Sequence, residues 1–239
     1  MKFGPNIANN GLVLALDAAN PRSFRGEPTT NILGTYVDPT FENGTTSGDG
    51  WTFDAKTNGV RAYHSVDSYA GTYSMKLTNS TISSIAFWRS NIPVVSGTKY
   101  TMTVYAKNID CPTTPYFSGV NISLDSGESN SFSGINSEWQ RFKATYTATA
   151  TGNAQFYIRT AANATQGSFL IDNFQIEEKS YATRFTAGTR GTTVATGGGW
   201  ADLSGNAYHG EILNGTTTNS DETIQGTLEF DGTDDYVSL

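Results

Sequence analysis

Residues 99–108 read KYTMTVYAKN, and the run alternates without a break. Tyr100, Met102, Val104 and Ala106 fall on one side; Thr101, Thr103, Tyr105 and Lys107 fall on the other. A period of two marks a strand with one face on a core and the other toward solvent. A helix would scatter the same apolar residues around its axis. Similar patterning recurs at 73–79 (YSMKLTN), 119–125 (GVNISLD), 138–149 (EWQRFKATYTAT), 153–160 (NAQFYIRT) and 168–177 (SFLIDNFQIE). The stretch 40–53 reads as a strand, a Gly-rich turn and a second strand, and 84–94 as a strand that meets Pro93. Gly, Asn, Ser and Thr clusters separate the runs, and no window carries a convincing 3.6-residue apolar period. The pattern predicts an all-β protein. Its main body is eight or nine antiparallel strands over 32–178, the strand number of a jelly-roll β-sandwich.

Composition narrows the partners. Charged residues make up 15% of the 239, against about 25% in an average soluble protein. The net charge is −7, with no run of five like charges. This argues against a nucleic-acid partner, which requires clustered Lys and Arg. Cys111 is the single cysteine, so no internal disulfide forms, and a buried structural thiol is expected. No stretch approaches 18 apolar residues, so no helical membrane insertion is expected. The opening MKFGPNIANN lacks the apolar centre of a signal peptide. The expectation is synthesis in a host cytoplasm, with any route outside being another one, such as assembly into a virus particle.

The flanks of the main body read differently. Residues 11–17 (GLVLALD) are expected to form a strand, and 18–31 a loop and connector. Residues 179–199, ending in three glycines, read as a linker. Residues 200–239 hold at most three short strands, too few to bury a core alone. The organisation expected is therefore nested. Residues 1–31 start one β domain, 32–178 form a jelly roll inserted into it, 179–199 link back, and 200–239 continue the first domain without completing it. Insertion at a surface loop with neighbouring ends is a tolerated route of domain addition.

Catalytic signatures are missing. Two histidines, His64 and His209, and one cysteine are present, with no metalloprotease, nucleophile-elbow, phosphate-loop or dinucleotide pattern. The acidic pairs at 221–222 and 234–235 sit in turn-like segments. The protein is therefore expected not to be an enzyme. Aromatic residues are more informative. Alternation places Trp88, Tyr105 and Tyr157 opposite the core face of their strands, with Arg159 nearby in sequence. Outward aromatics beside polar groups can stack on sugar rings, and they equally serve to cover a sheet or to face a neighbouring subunit. Trp200 is expected in the second domain.

Two resemblances add to this reading. DPTFENGTTSGDGWTF, SYAGTYSMKLTN, VSGTKYTMTVYAK, EWQRFKATYTATATG and FLIDNFQIEE occur in the order of markers in carbohydrate-binding modules of the 4/9 type. GLVLALDAANPRSF, WADLSGNAYHGEILNG and LEFDGTDDYVSL resemble laminin-G/concanavalin-A-like domains of phage tail-fibre and virion proteins. The first resemblance puts Trp51 and Trp139 at framework positions, which implies that both lie in the core, and it implies a structural calcium ion, held by Glu42, by backbone oxygens of Gly71 or Tyr73, and by Asp172. Together they imply the fold and a virion context, but not sugar binding, since one jelly roll serves many roles. With the outward aromatics added, the expectation is a non-catalytic virion surface protein, tail-fibre-like or capsid-attached, that contacts host-surface glycan through Trp88, Tyr105, Tyr157 and Arg159. Its other partners would be virion proteins and further copies of itself, a trimer being one arrangement. The alternatives are a ligand-free capsid decoration or fibre component, and the carbohydrate-binding part of a secreted adhesin or polysaccharide-degrading enzyme.

Overall fold

In the computed structural model the alternating runs are strands, and the only helical pieces among the described residues are two short 3-10 turns at Ile32–Thr35 and Val194–Thr196. The structure describes residues 12–17, 20, 22–45, 49–55, 59–79, 85–112, 114–120, 132–160, 166–213, 217–218, 228–229, 233 and 236–239, with backbone alone at 54–55, 85–86, 88–90, 116, 118–120, 217–218 and 228–229. In chain order the strands are β1 (Phe24–Gly26), β2 (Thr29–Thr30), β3 (Thr52–Ala55), β4 (Val60–His64), β5 (Ser74–Asn79), β6 (Ile85–Val94), β7 (Lys99–Asn108), β8 (Tyr116–Val120) and β9 (Gln140–Thr147). They continue with β10 (Gly152–Arg159), β11 (Gly167–Glu177), β12 (Thr189–Arg190), β13 (Gly199–Trp200), β14 (Glu211–Leu213), β15 (Thr217–Thr218), β16 (Leu228–Glu229) and β17 (Tyr236–Ser238). The chain divides into two compact units: 1–29 with 189–239, and 30–188.

The 30–188 unit holds two antiparallel sheets. One has four strands in the order β3-β6-β10-β8, the other five in the order β4-β5-β11-β7-β9. Their inward residues form one core: Phe87, Phe117, Phe156 and Ile158 from the first sheet, Met75, Leu77, Met102, Val104 and Ile171 from the second. Trp51 joins the two sets. Its ring stacks on Phe87 of β6 at 4.7 Å and on Phe174 of β11 at 5.5 Å, so one side chain touches both sheets. Its indole N–H donates to the Asp38 carbonyl, so the one polar atom of the ring is satisfied.

Strand β11 is buried along its whole length. Between Asp172 and Gln175 it carries a bulge, with Asn173 in the left-handed region (φ 51°). The extra residue keeps Phe174 pointing inward and Asp172 and Gln175 outward. Asp172 is buried under the turn at residues 69–70, and Gln175 and Glu177 are buried because the chain after the strand turns back over them. Thr183 donates its N–H to Glu177 Oε1 (2.8 Å) and its hydroxyl to Oε2 (2.7 Å), and Thr186 donates its N–H to Gln175. Thr101 donates to the Lys179 carbonyl, and Arg141 to the Thr183 carbonyl. Residues 179–186, the first part of the stretch read as a linker, thus lie as a strap on the outer face of the five-stranded sheet. This is why Thr101 and Thr103, polar residues on the outward side of β7, are buried.

In the 1–29/189–239 unit the described pairings are antiparallel ribbons, β1 with β13, β14 with β17 and β15 with β16. Residues 12–17 are not a strand, contrary to the expectation from their apolar run. Their backbone is instead held by side chains of the 202–206 turn. Ala15 donates its N–H to Asp202 Oδ1 (2.9 Å), and Asn206 Nδ2 donates to the carbonyls of Leu12 and Val13. Asp202 also accepts from Ser204 and Tyr208. Burial opposes its charge, but these hydrogen bonds outweigh it and hold the carboxyl well below the usual range. Phe24 packs edge-to-face on Trp200 at 6.1 Å, which places Trp200 in this unit.

Candidate functional site

Each sheet of the 30–188 unit has its own outer face, and the aromatic candidates divide between them. Tyr157 and Arg159 lie on β10 of the four-stranded sheet. They alternate with the buried Phe156 and Ile158 and are themselves half-buried. The Arg159 guanidinium carbon sits 5.4 Å from the centre of the Tyr157 ring, and Arg159 makes no ion pair among the described residues. Burial raises the Tyr157 phenol above its ordinary range, and the Arg159 charge partly offsets it; the hydroxyl is hydrogen-bonded to Gln155. Trp88 on β6 is the direct register partner of Tyr157, and Ser118 on β8 the partner on the other side. In antiparallel strands such partners share a face. The Trp88 side chain and the acidic pairs at 221–222 and 234–235 lie outside the described residues.

Tyr105 is not with them. It lies on β7 of the five-stranded sheet, opposite Arg141 of β9. Its ring is stacked under Tyr69 at 3.6 Å and 13°. Trp139, expected in the core, lies on this outer side too, 6.2 Å from Tyr69, with its indole N–H on Asp67 Oδ1 (2.8 Å). Local alternation cannot separate these positions from core ones, because a residue at a strand's end reaches either layer. Nothing in the periodicity marks Asp67 or Tyr69, which sit in the turn between β4 and β5.

Of the candidate calcium ligands, the Glu42 and Asp172 carboxylates both lie against the backbone of that same turn. Asp172 Oδ2 accepts the N–H groups of Tyr69 (2.9 Å) and Ala70 (3.1 Å), and Oδ1 that of Asn173 (2.7 Å). Glu42 accepts those of Thr72 (3.0 Å) and Tyr73 (2.9 Å). Gly71 (φ +72°) is packed so closely on the Glu42 carboxylate that a β-carbon would collide with it. Burial pushes the Asp172 carboxyl up to about 7; the backbone N–H groups pull it back, and the Glu42 charge adds to the rise. Two carboxylates that sense each other are hard-oxygen donors of the type Ca²⁺ takes, but the turn presents N–H groups to them, and the Gly71 carbonyl accepts from the Ser68 hydroxyl. Among the described residues no cluster of three or more His, Cys, Asp or Glu occurs. The set therefore fits such a cation only with carbonyls and water completing the sphere.

Comparison with known families matches residues 34–165, more than half of the chain, to a carbohydrate binding domain of the 4/9 type. The chain belongs to this carbohydrate-binding family. Among solved structures, the CBM22-1 xylan-binding domain of Paenibacillus barcinonensis Xyn10C is 18% identical, with 66% of this chain and 97% of that one covered and a TM-score of 0.47. The C-terminal family 22 carbohydrate-binding module of Clostridium thermocellum Xyn10B is 19% identical, with 62% and 95% covered and a TM-score of 0.45. The enzymatically active domain of bacteriophage CBA120 tailspike protein 4 is 13% identical, with 59% of this chain and 20% of that one covered and a TM-score of 0.44. A search of curated proteins finds no match.

Proposed function

We propose that the 30–188 unit of this carbohydrate-binding protein holds glycan on the outer face of its four-stranded sheet, without catalysis. The carrying observation is the Tyr157–Arg159 pair outside β10, in register with Trp88. A flat aromatic face and a guanidinium without an ion-pair partner among the described residues suit a sugar, whose C–H face stacks while its hydroxyls accept hydrogen bonds. Tyr105 contributes no platform to this site, since it belongs to the other sheet under Tyr69.

The flanking unit's likeness to virion-protein domains supports the finer reading: a surface protein of a phage particle, tail-fibre-like or capsid-attached, that touches host glycan. Repetition on a particle, as in a trimer, would turn weak single contacts into avidity. In the same reading Glu42 and Asp172, with backbone oxygens of Gly71 and Tyr73, hold a calcium ion that would stiffen the β4–β5 turn.

The test is binding of the purified chain to a glycan array and to host cells, with Trp88→Ala and Tyr157→Ala variants. Each variant is expected to weaken binding about tenfold, the equivalent of one lost aromatic contact of about 1.4 kcal/mol. Binding that is unchanged in both variants, or absent from the folded parent, would overturn the assignment.

A further inference from the structure

The outer face of the five-stranded sheet carries a second group of aromatic and charged side chains, which the glycan site above does not use. Tyr69 lies flat on Tyr105, 3.6 Å between ring centres. Trp139 meets Tyr69 at 65°. Asp67 lies between Trp139 Nε1 (2.8 Å) and Lys107 Nζ (2.7 Å). Burial opposes its charge, but the hydrogen bonds from Lys107 and Trp139 prevail and lower the Asp67 carboxyl below its ordinary range.

Two features separate this group from ordinary sheet cover. The first is exposure: Tyr69 remains 44% exposed although Tyr105 lies on one face of its ring, and Val66, three residues away, is 86% exposed. The second is rigidity. Asp172 takes the N–H of Tyr69, Ser74 donates to the Asp67 carbonyl and Ser68 to the Gly71 carbonyl. An apolar ring is thus presented to water by a turn that is already fixed, so a ligand would pay little ordering entropy.

We propose that Tyr69, Trp139, Asp67 and Lys107 form a second carbohydrate contact, for a neutral pyranose ring, on the sheet opposite the Tyr157 face. The rim chooses the ligand class. Its carboxylate and ammonium already neutralise each other, so it selects no ion. An ammonium has three donors, of which Asp67 takes one, and a carboxylate has about four acceptor sites, of which Trp139 and Lys107 take two. Vicinal hydroxyls of a sugar match that pair, one donating to Asp67 and its neighbour accepting from Lys107, while the ring stacks on Tyr69. A protein partner would need a buried area of about 1,000 Å², far more than one tyrosine and one valine offer.

The two contacts can be told apart by indole resonances, because Trp139 reports on one sheet and Trp88 on the other. The full chain is titrated with cellohexaose, mannohexaose and xylohexaose while the indole N–H signals are followed by NMR. The expected result is a saturable shift of the Trp139 signal by at least one of the three. Tyr69→Ala should weaken it fivefold or more, Tyr69→Phe should leave it, and Tyr157→Ala should not affect it. No Trp139 shift with any of the three in the folded chain overturns the proposal, as does a shift that survives Tyr69→Ala. A response confined to Trp88 also overturns it, and leaves the Tyr157 site standing.

Discussion

Asp172 stands at the crossing of the fold and the turn. It projects from the bulged strand β11, is fully buried, and anchors the backbone of residues 69–70. Its carboxyl, raised from 3.8 to about 7, binds its proton more tightly in the folded chain than in the unfolded one. With calcium withheld by a chelator, the stabilisation from protonated Asp172 is complete below about pH 4. It is lost as pH rises through 7, since the folded state holds the extra proton across that window. Melting temperature is therefore expected to fall across pH 4–7 in chelator, with a flatter profile in Asp172→Asn. Added calcium should raise the melting temperature at pH 7 in the parent and not in Asp172→Asn. A profile that Asp172→Asn leaves unchanged would remove Asp172 as the cause. At this scale the sequence is a fair guide where chemistry is local. The position of Asp172 inside an apolar strand signals a carboxylate that needs partners, and Trp51 is in the core as expected. Trp139 is not, because the choice between core and outer cover depends on Asp67, 72 residues away.

Among the elements, β7 shows both the strength and the limit of alternation. Its inward set, Tyr100, Met102, Val104 and Ala106, is buried as the pattern requires. Its outward set divides: Thr101 and Thr103 vanish under the strap, whereas Tyr105 lies beneath Tyr69. A two-residue period says which residues leave the core. It does not say which of a sandwich's two outer faces they reach, nor what later chain covers them. Hence Tyr105 and Tyr157, equivalent by pattern, lie on different sheets. The strap itself has no periodic signature, since its anchors are single hydrogen bonds from Thr183, Thr186 and Arg141. Glu177 is its main holdfast. Glu177→Ala would remove the acceptor of the Thr183 N–H, at a cost of about 1–3 kcal/mol for a buried group left unpaired, while the Thr183 hydroxyl would keep the Arg184 carbonyl. The variant is expected to melt lower and to be cut by trypsin at Lys179 or Arg184 faster than the parent, while Glu177→Gln, which keeps one acceptor oxygen, falls between. Equal cleavage rates in all three would show that the strap is held by other contacts.

For the whole molecule, the telling feature is where the 30–188 unit starts and stops. Asn31 donates its N–H to the Gly188 carbonyl at 2.8 Å, so the two ends of the unit are neighbours. The Asn31 side chain then ties this seam to the core strand: Oδ1 accepts the N–H of Leu33 and of Ile176, and Nδ2 donates to the Phe174 carbonyl. Gly34 lies so close to the Ala187 carbonyl that any larger residue would force the seam apart. A segment whose ends are joined by its own hydrogen bonds, and whose core draws on both of its sheets, meets the requirements of a domain. Residues 30–188 expressed alone are therefore expected to unfold in one cooperative transition. Asn31→Ala in that fragment should lower its stability by about 2 kcal/mol or more, because three buried backbone groups lose a partner at once. Chemical denaturation of the fragment and its variant checks both statements. A fragment without a cooperative transition would mean that the unit depends on residues outside 30–188, and an unaffected Asn31→Ala would mean that the seam is held elsewhere.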